Sequence, residues 1–264
     1  MKTLTVFTPS YNRAYTLHKC YESLLRQTSK DFTWLIIDDG SSDNTKELVD
    51  SWINENKIEI NYIYQENQGM HGAHNTAYKN IKTELNVCID SDDYMPDDAV
   101  EKILKFWEEN QSEEIAGIAA LDAYESGEVI GTTFPNDLKT STSFDMYYKH
   151  GVCGDKKFIY KTELTKKFPY PIFEGEKYVG LAYKYRKIDL THKLALMNEV
   201  VCIVEYMEDG SSRNMLKQYI NNPKGFIFYR KENMKNPNGN LKYKFKYNLV
   251  LKLIKLKLIY RKIN

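Results

Sequence analysis

Strand-like and helix-like segments alternate from the N-terminus to about residue 110, and no other feature of the sequence constrains the fold as strongly. Short apolar runs are separated by amphipathic stretches in which apolar residues recur at helical spacing. The predicted strands are residues 3–8, 33–37, 60–64 and 86–89, and the predicted helices are residues 15–27, 44–55, 71–82 and 96–109. This alternation predicts an α/β fold with a mostly parallel, doubly wound sheet flanked by helices.

Polar residues follow each of these four strands at the point where the strand ends. They are Thr8-Pro9-Ser10-Tyr11, Asp38-Asp39, Gln65-Glu66-Asn67 and Asp90-Ser91-Asp92-Asp93. Ligands of parallel α/β sheets bind at the carboxyl ends of the strands. We therefore expect the four clusters to share one rim of the sheet and to form one binding site.

Beyond residue 110 the pattern is weaker. Further strands are predicted at residues 115–121, 128–134, 157–160 and 200–206, and a basic helix is predicted from residue 240 onwards. An Asn/Pro/Gly-rich stretch at residues 233–240 precedes that helix. The end of the chain is therefore expected to form a small helical extension of the main domain.

The composition argues against several classes of protein. No run reaches the roughly 18 apolar residues of a membrane-spanning helix, and the N-terminal segment is too short and too polar for a secretory signal peptide. The four cysteines are scattered and form no Cys/His cluster of the kind that binds zinc. These observations favour a reduced, cytoplasmic protein.

Charge is distributed unevenly along the chain. Residues 1–209 carry 23 Lys and Arg against 35 Asp and Glu, whereas residues 210–264 carry 14 against one. Residues 241–264 alone contain eight Lys and Arg, no acidic residue and two apolar stripes at helical spacing. We expect this segment to contact an anionic membrane surface, because basic residues and a dipping apolar face both favour one.

Other interpretations of the basic segment remain open. Its charges can face solvent on a helix that packs on the acidic body of the protein, or its apolar stripes can serve an oligomer. Nucleic acid is not expected as a partner, because no aromatic stacking platform accompanies the lysines.

Three carboxylates, those of Asp90, Asp92 and Asp93, lie within one turn after a buried predicted strand. Carboxylates this close repel one another, so a cation or hydrogen-bond donors must compensate them. A divalent ion bound by one or two carboxylates, water and substrate phosphates would do so. The alternative interpretation is a turn followed by the N-terminus of a helix.

Asp38 and Asp39 also permit two interpretations. They can belong to a turn and a helix N-cap, or they can accept hydrogen bonds from a nucleobase or a ribose. Next to them, Tyr11 offers an aromatic face on which a base can stack, and Arg13 offers a cation for a phosphate.

Five motifs in a fixed order resemble those of a known family. They are TPSYNR, a Ser-Leu-Leu-x-Gln-Thr helix end, LIIDDGSSDNT, ENQGMHGAHNTA and IDSDDYMPDDAV. Over about residues 3–105 the chain thereby resembles the family 2 glycosyltransferases of GT-A fold. The later stretches GDKKFIYKTEL and FPYPIFEGEKYV are similar to the second half of some bacterial members.

The resemblance implies a nucleotide-sugar site and a metal site. Asp39 stands where the family has a carboxylate that reads uracil, and His74 stands where an arginine is commoner. Asp92 and Asp90 are the implied ligands of Mn²⁺ or Mg²⁺. The residues expected at the nucleotide sugar are Thr8, Pro9, Tyr11, Arg13, Asp38, Asp39, Asn67, Gly69, His74, Asn75, Asp90, Ser91, Asp92, Asp93 and Arg213.

The resemblance also implies a carboxylate that acts as the catalytic base. The family usually has a Glu-Asp pair, whereas this chain has Glu176-Lys177. Glu176 is therefore expected to be the base, with Glu174 as the second candidate. Asp155 is the third candidate and is expected rather to shape the acceptor pocket.

The implied function is a metal-dependent, inverting transfer of a sugar from a nucleotide sugar, with uridine favoured as its base. The acceptor would be a hydroxyl of a saccharide or of a lipid-linked saccharide, in cell-surface polysaccharide synthesis at the inner face of the membrane. The GT-A domain would span residues 1–210, with a nucleotide-binding half at about 1–110 and an acceptor-binding half at about 111–210. Residues 211–264 would form the basic helical extension.

Two other functions are compatible with carboxylates on an α/β sheet. A sugar-nucleotide nucleotidyltransferase also uses such a site, but those enzymes usually have a glycine-rich loop after the first strand, and TPSYNR contains no glycine. A non-catalytic module that binds a nucleotide or a carbohydrate is the second alternative, because the Glu-Lys pair departs from the pattern of the family.

Overall fold

A computed structural model describes residues 2–205, 207, 215–239, 243, 244 and 252. Eight strands and nine helices lie within this part of the chain. The strands are β1 (Leu4–Ser10), β2 (Phe32–Asp38), β3 (Ile60–Tyr64), β4 (Leu85–Cys88), β5 (Ile115–Ala123), β6 (Thr140–Ser141), β7 (Lys156–Lys161) and β8 (Lys193–Ile203). The helices are α1 (Ala14–Arg26), α2 (Thr45–Glu55), α3 (Met70–Asn80), α4 (Ala99–Asn110), α5 (Ser143–Tyr148), α6 (Thr162–Lys167), α7 (Ala182–Ile188), α8 (Met215–Asn221) and α9 (Pro223–Met234).

The strands form one sheet in the order β3-β2-β1-β4-β7-β5-β8-β6. The first four strands of the chain, β1 to β4, are parallel, as the alternating pattern predicts. β7 then runs antiparallel between β4 and β5, whereas β5 and β8 are parallel to each other. The predicted α/β class is confirmed, and the sheet is mixed.

The apolar run in β2 shows why the sheet needs helices on both faces. Phe32, Trp34 and Ile36 pack into a core with α1, α2 and α4. Leu35 and Ile37, which alternate with them, pack with α3 on the opposite face. A strand buried on both faces has no polar side, which explains the continuous apolar run in the sequence.

Two of the later strand predictions differ from the structure. Residues 128–134 form no strand, because Val129 makes a single bridge to Ala123 and the chain then turns at Gly131, whose φ is 76°. A Cβ at Gly131 would lie 2.1 Å from the carbonyl oxygen of Cys153, so the turn packs closely on that loop. The strand predicted at 200–206 is the last part of a longer strand, β8, which ends at Ile203.

The predicted helical extension begins with α8 and α9, and α9 packs against α7. The basic helix predicted from residue 240 lies almost entirely outside the described residues. In the part of the chain that is described, no helix combines the length and the hydropathy needed to cross a bilayer.

Candidate active site

A cleft of about 550 Å³ opens at the carboxyl ends of β1, β2 and β4. Its lining residues are Pro9, Ser10, Tyr11, Arg13, Asp39, Met70, Ala73, Asp90, Ser91, Asp92, Asp93, Asp122, Tyr147, Asp155, Lys156, Lys157, Phe158, Leu181, Tyr185, Val204, Glu205 and Met207. A larger groove of about 770 Å³ lies at the amino ends of β1, β2 and β3. That groove contains none of the polar clusters that end the strands, so the smaller cleft is the candidate site.

The turn after β1 forms one end of the cleft. Asn12 adopts a left-handed conformation with φ of 53°, and its Oδ1 accepts a hydrogen bond from the backbone N–H of Ser42 at 2.8 Å. This bond fixes the turn to the loop after β2. Tyr11 is half-exposed there, and the Arg13 guanidinium donates to the hydroxyl of Tyr15. An aromatic face and a cation therefore stand together at this end.

Asp39 lines the same end of the cleft and organises the loop at residues 65–69. Its Oδ1 accepts hydrogen bonds from Gln65 Nε2 at 2.7 Å and from the backbone N–H of Gln68 at 2.8 Å. Its Oδ2 accepts from the backbone N–H of Gly69 at 2.8 Å. Burial raises the pKa of Asp39, and these hydrogen bonds oppose the shift. Asp39 therefore sets the position of the loop as well as offering a carboxylate to a ligand.

Thr8 and Asp38, which were expected to contact a nucleotide sugar, do not line the cleft. Thr8 is fully buried, and its Oγ1 accepts a hydrogen bond from Trp34 Nε1 at 3.0 Å. Asp38 is buried as well. Its two oxygens accept from the backbone N–H of Ser41 at 2.8 Å and from the hydroxyl of Tyr62 at 2.5 Å. Both side chains support the rim from beneath.

Three more residues that were expected at the nucleotide sugar instead contact the loop at residues 170–180. The carbonyl of Asn67 accepts a hydrogen bond from Lys177 Nζ. A Cβ at Gly69, whose φ is 79°, would lie 2.0 Å from the carbonyl oxygen of Lys177. Asn75 exchanges two hydrogen bonds of 2.8 Å with the backbone of Tyr170. These contacts hold the residue 170–180 loop against α3, and none of the three lines the cleft.

His74 is a neutral core residue and not a cation of the site. Its Nδ1 lies 2.9 Å from the carbonyl oxygen of Met70, and its ring packs edge-on against Phe7 and Tyr78. Burial lowers the pKa of His74 to about 4. Where an arginine is commoner in the family, this chain therefore carries no positive charge.

The acidic cluster Asp90-Ser91-Asp92-Asp93 lines the middle of the cleft. The backbone N–H of Asp93 donates to the carbonyl of Asp90 at 3.0 Å and closes a turn directly after β4. Asp90 and Asp92 are partly exposed, whereas Asp93 is buried. The Oδ1 of Asp93 accepts from the backbone N–H of Glu205 at 3.2 Å, which ties the cluster to the end of β8.

The donor set of this cluster fits a metal that substrate helps to bind. Among the described residues, no three His, Cys, Asp or Glu side chains converge into a cage made by protein alone. Asp90 and Asp92 nevertheless offer hard carboxylate oxygens to the cleft. Mg²⁺ and similar ions are commonly held by one or two carboxylates together with water and substrate phosphates. The chemistry present therefore fits such an ion.

Asp122 and Lys157 are cleft residues that the sequence analysis missed. Asp122 lies at the carboxyl end of β5, so the strand-end rule would have found it. Lys157 lies on β7, whose amino end reaches the rim because this strand is antiparallel to β4, and no sequence pattern indicates that. Burial raises the pKa of Asp122 to about 6. Burial lowers the pKa of Lys157, but the neighbouring carboxylates outweigh burial and raise it well above its usual value.

Glu176, the expected base, is engaged in holding a helix. Its Oε1 accepts a hydrogen bond from the backbone N–H of Lys224, and its Oε2 accepts from that of Gly225, both at 2.8 Å. These N–H groups belong to the first turn of α9, where a carboxylate is favoured. Glu174 is exposed in the same loop. The structure places neither glutamate in the cleft, so it does not favour either as the base.

Asp155 also lines the cleft, directly before β7 and therefore two strands away from β1, which Tyr11 follows, and it is exposed. Three aromatic side chains line the cleft as well, from α5, β7 and α7. They are Tyr147, Phe158 and Tyr185, of which the last two have ring centroids 5.1 Å apart. This part of the cleft therefore combines an accessible carboxylate with an aromatic wall. Arg213 lies outside the described residues.

Comparisons with known proteins identify the family of the chain. The sequence model of the family described as "Glycosyl transferase family 2" matches residues 5–168. The chain is 29% identical to the glycosyltransferase GlyA of Streptococcus pneumoniae over 187 residues, which are 71% of this chain and 26% of GlyA. It is 35% identical to the chondroitin synthase of Pasteurella multocida over 102 residues, which are 39% of this chain and 10% of that enzyme. The chain thus spans about a quarter or less of the length of these two relatives.

Two solved structures share the fold. TarS of S. aureus, in complex with UDP-GlcNAc, superposes with a TM-score of 0.68 at 19% identity over 95% of this chain and 70% of that chain. The mannosyltransferase PcManGT of Pyrobaculum calidifontis, in complex with GDP-Man and Mn²⁺, superposes with a TM-score of 0.63 at 16% identity over 95% and 69%. Since the family model covers more than half of the residues, the chain belongs to glycosyl transferase family 2.

Proposed function

We propose that the protein is a metal-dependent, inverting glycosyltransferase that moves a sugar from a uridine diphosphate sugar to a hydroxyl of a saccharide or a lipid-linked saccharide. The observation that carries this proposal is the sequence of groups along one cleft. Along the sheet order β1-β4-β7, an aromatic face and a cation follow β1, an acidic cluster follows β4, and an exposed carboxylate precedes β7, and all of them line the cleft. Donor, metal and acceptor need these groups in this order.

The nucleotide belongs at the end formed by β1 and β2. Tyr11 offers a stacking face for the base, Asp39 a hydrogen-bond acceptor and Arg13 a charge for a phosphate. The names of the relatives support a uridine donor and a saccharide acceptor. TarS was solved with UDP-GlcNAc, and the Pasteurella multocida relatives are a chondroitin synthase and a hyaluronan synthase. These names also support a role in polysaccharide synthesis.

Asp92 and Asp90 are the residues that would hold the metal. A divalent ion bound there supplies positive charge against the negative charge of the leaving diphosphate. Its neighbour Asp93 is the residue proposed to hold hydroxyls of the donor sugar. Because Asp93 is anchored to the backbone of Glu205, it can do so with little freedom to move.

Asp155 is proposed as the base in place of Glu176, since it is the one of the three expected candidates that lines the cleft. It takes the proton from the acceptor hydroxyl while the oxygen forms a bond to the anomeric carbon. The bond from that carbon to the diphosphate breaks at the same time, and the nucleoside diphosphate leaves with the bonding electron pair. A single displacement of this kind inverts the anomeric centre.

The acceptor belongs beside Asp155, against Tyr147, Phe158 and Tyr185. Sugar rings expose apolar C–H faces, and aromatic side chains bury apolar area while their polar edges remain available for hydrogen bonds. The position of this wall beyond the acidic cluster supports an acceptor that approaches the sugar from the side opposite the nucleotide.

We expect UDP to raise the thermal unfolding temperature only when Mn²⁺ or Mg²⁺ is present, and GDP and CMP to raise it less. The physical reason is linkage, since a ligand that binds the native state alone stabilises it by about 2.7 kcal/mol at 100 times its Kd. Differential scanning fluorimetry of the full chain with each nucleotide, with and without metal, measures this. Asp92→Ala is the matched variant and should lose the metal-dependent part of the shift.

An equal shift in EDTA and in Mn²⁺, retained by Asp92→Ala, would contradict the metal assignment. Binding of UDP-sugars without any transfer to a broad panel of saccharides would instead favour a non-catalytic module. Release of pyrophosphate in place of UDP would identify a nucleotidyltransferase.

We also propose that residues 241–264 bring the enzyme to an anionic membrane surface on the cytoplasmic side. Each basic residue near such a surface contributes about 1 kcal/mol. We expect the full chain to float with vesicles of mixed phosphatidylcholine and phosphatidylserine, and to float less as salt rises, because screening weakens the attraction. Vesicles of phosphatidylcholine alone and a chain that ends at residue 240 are the controls. Equal flotation of the two chains would contradict this proposal.

A further inference from the structure

Lys157 enters the cleft from β7 beside two buried carboxylates. On β7 it lies opposite Ala120 of β5, two residues before Asp122 at the carboxyl end of that strand. The other carboxylate belongs to Asp93, at the end of the acidic cluster. The Lys157 side chain is 12% exposed, and those of Asp93 and Asp122 are 5% and 4% exposed. Water therefore reaches none of the three groups freely.

The distances describe a shared ion pair and not a set of hydrogen bonds. Lys157 Nζ lies 3.7 Å from Asp93 Oδ2 and 3.9 Å from Asp122 Oδ1. Asp122 Oδ1 is buried without a hydrogen-bond partner, so the charge of Lys157 is the compensation that the structure shows for it. A buried carboxylate that loses its counter-ion is strongly disfavoured.

The position of Lys157 in the sheet separates it from the nucleotide end. Tyr11 and Asp39 follow β1 and β2, whereas Asp93, Lys157 and Asp122 belong to the region of β4, β7 and β5. A change at Lys157 should therefore affect binding of the donor sugar first and binding of the nucleobase only weakly.

We propose that Lys157 is a positioning residue, a counter-ion built into the floor of the cleft that fixes Asp93 and Asp122 for the sugar of the donor. The inference rests on the proposed function, because it assigns the sugar to Asp93. The backbone N–H of Glu205 holds Oδ1 of Asp93, whereas Oδ2 accepts a hydrogen bond from the thiol of Cys202 at 3.7 Å and faces the ammonium of Lys157. Without the ammonium, Oδ2 keeps only the weak thiol donor, and Asp93 can rotate away from the sugar hydroxyls.

The test compares the affinity for UDP with that for UDP-sugars by isothermal titration calorimetry in Mn²⁺. The probes are UDP, UDP-glucose, UDP-galactose, UDP-GlcNAc and UDP-glucuronate, and the sugar that binds wild type best is used throughout. We expect Lys157→Met to weaken the UDP-sugar about tenfold or more, the size of one lost interaction with a charged group. Its affinity for UDP should change less than about threefold.

Two variants distinguish positioning from a general effect of substitution. Lys157→Arg keeps the charge and should restore most of the difference in affinity between the UDP-sugar and UDP. Lys161→Met removes a lysine from the same strand, where Nζ donates to the carbonyl of Ser112, and should leave both affinities unchanged. If Lys157→Met does not fold, the Lys157→Met/Asp122→Asn double variant removes one buried carboxylate together with the cation and is measured in its place.

Unchanged affinities in Lys157→Met, or an equal loss of affinity for UDP and for the UDP-sugar, would overturn the inference. Absence of UDP and UDP-sugar binding in wild type would overturn the proposed function instead, and the inference with it. The wild-type titration therefore tells the two failures apart.

Discussion

Asp155→Asn should lower the rate of sugar transfer by about 10²–10⁴, which is the usual contribution of a general base. The amide has nearly the shape of the carboxylate but cannot take the proton of the acceptor hydroxyl. Asp155 precedes β7, two strands away from β1, which Tyr11 follows. Because binding of the nucleotide does not involve the catalytic base, the affinity for UDP should stay within about threefold of wild type. Turnover of a UDP-sugar with a saccharide acceptor, together with calorimetry of UDP binding, measures both.

Glu176→Gln tests the competing assignment. Its carboxylate caps the first turn of α9 through the N–H groups of Lys224 and Gly225, so the amide should remove part of that cap. We expect a loss of about 0.5–2 kcal/mol in the free energy of unfolding, as for other helix caps, and little change in turnover. The opposite result, with Glu176→Gln inactive and Asp155→Asn active, would return the role of base to Glu176.

Gly69→Ala should destabilise the protein by about 2–6 kcal/mol. Two costs add at this position. The backbone at φ of 79° and ψ of 171° costs about 1–3 kcal/mol for a residue with a Cβ, and an overpacked contact costs about 1–3 kcal/mol. The contact is with the carbonyl oxygen of Lys177, only 2.0 Å from the position of the new Cβ. Because Gly69 also donates to Asp39, the thermal shift given by UDP should shrink as well.

Gly127→Ala is the matched control for this prediction. Gly127 also has a positive φ, 84° against 79° at Gly69, but nothing lies within 4 Å of its Cβ position. It should therefore show the conformational cost alone, about 1–2 kcal/mol. Urea denaturation of both variants measures the difference. Equal losses of unfolding free energy in the two variants would mean that the close contact between Gly69 and Lys177 adds no cost to the substitution.

The fold of the N-terminal half follows from the sequence because burial on both faces leaves a direct trace. β2 reads as an unbroken apolar run, and the helices around it repeat their apolar residues at helical spacing. The second half leaves a weaker trace. Residues 128–134 are apolar and β-branched enough to suggest a strand, but the close turn at Gly131 decides their path, and its cause is a contact with Cys153 far along the chain.

The residues of the candidate site also differ in how well the sequence predicts them. Strand ends are local features of the sequence, so part of the cleft lining could be predicted from it: Pro9, Tyr11, Asp39 and the acidic cluster. The proposal of Asp155 over Glu176 as the catalytic base could not be made in that way, since it rests on the contact of Glu176 with a distant helix. Thr8 and Asp38 show the limit of position alone. Each stands at a strand end, yet each turns into the protein to meet Trp34 or Tyr62.

The place of β7 in the sheet has a consequence for how the chain is made. β7 is formed by residues 156–161, yet it separates β4 from β5, which are both synthesised earlier. Until β7 leaves the ribosome, each of those two strands has an open edge, and open edges are prone to aggregation. The acidic cluster and Asp122 lie on opposite sides of β7, so the cleft cannot form before residues 156–161 have been synthesised. A fragment that stops before residue 156 should therefore be insoluble, and the two halves of the domain should fold as one unit.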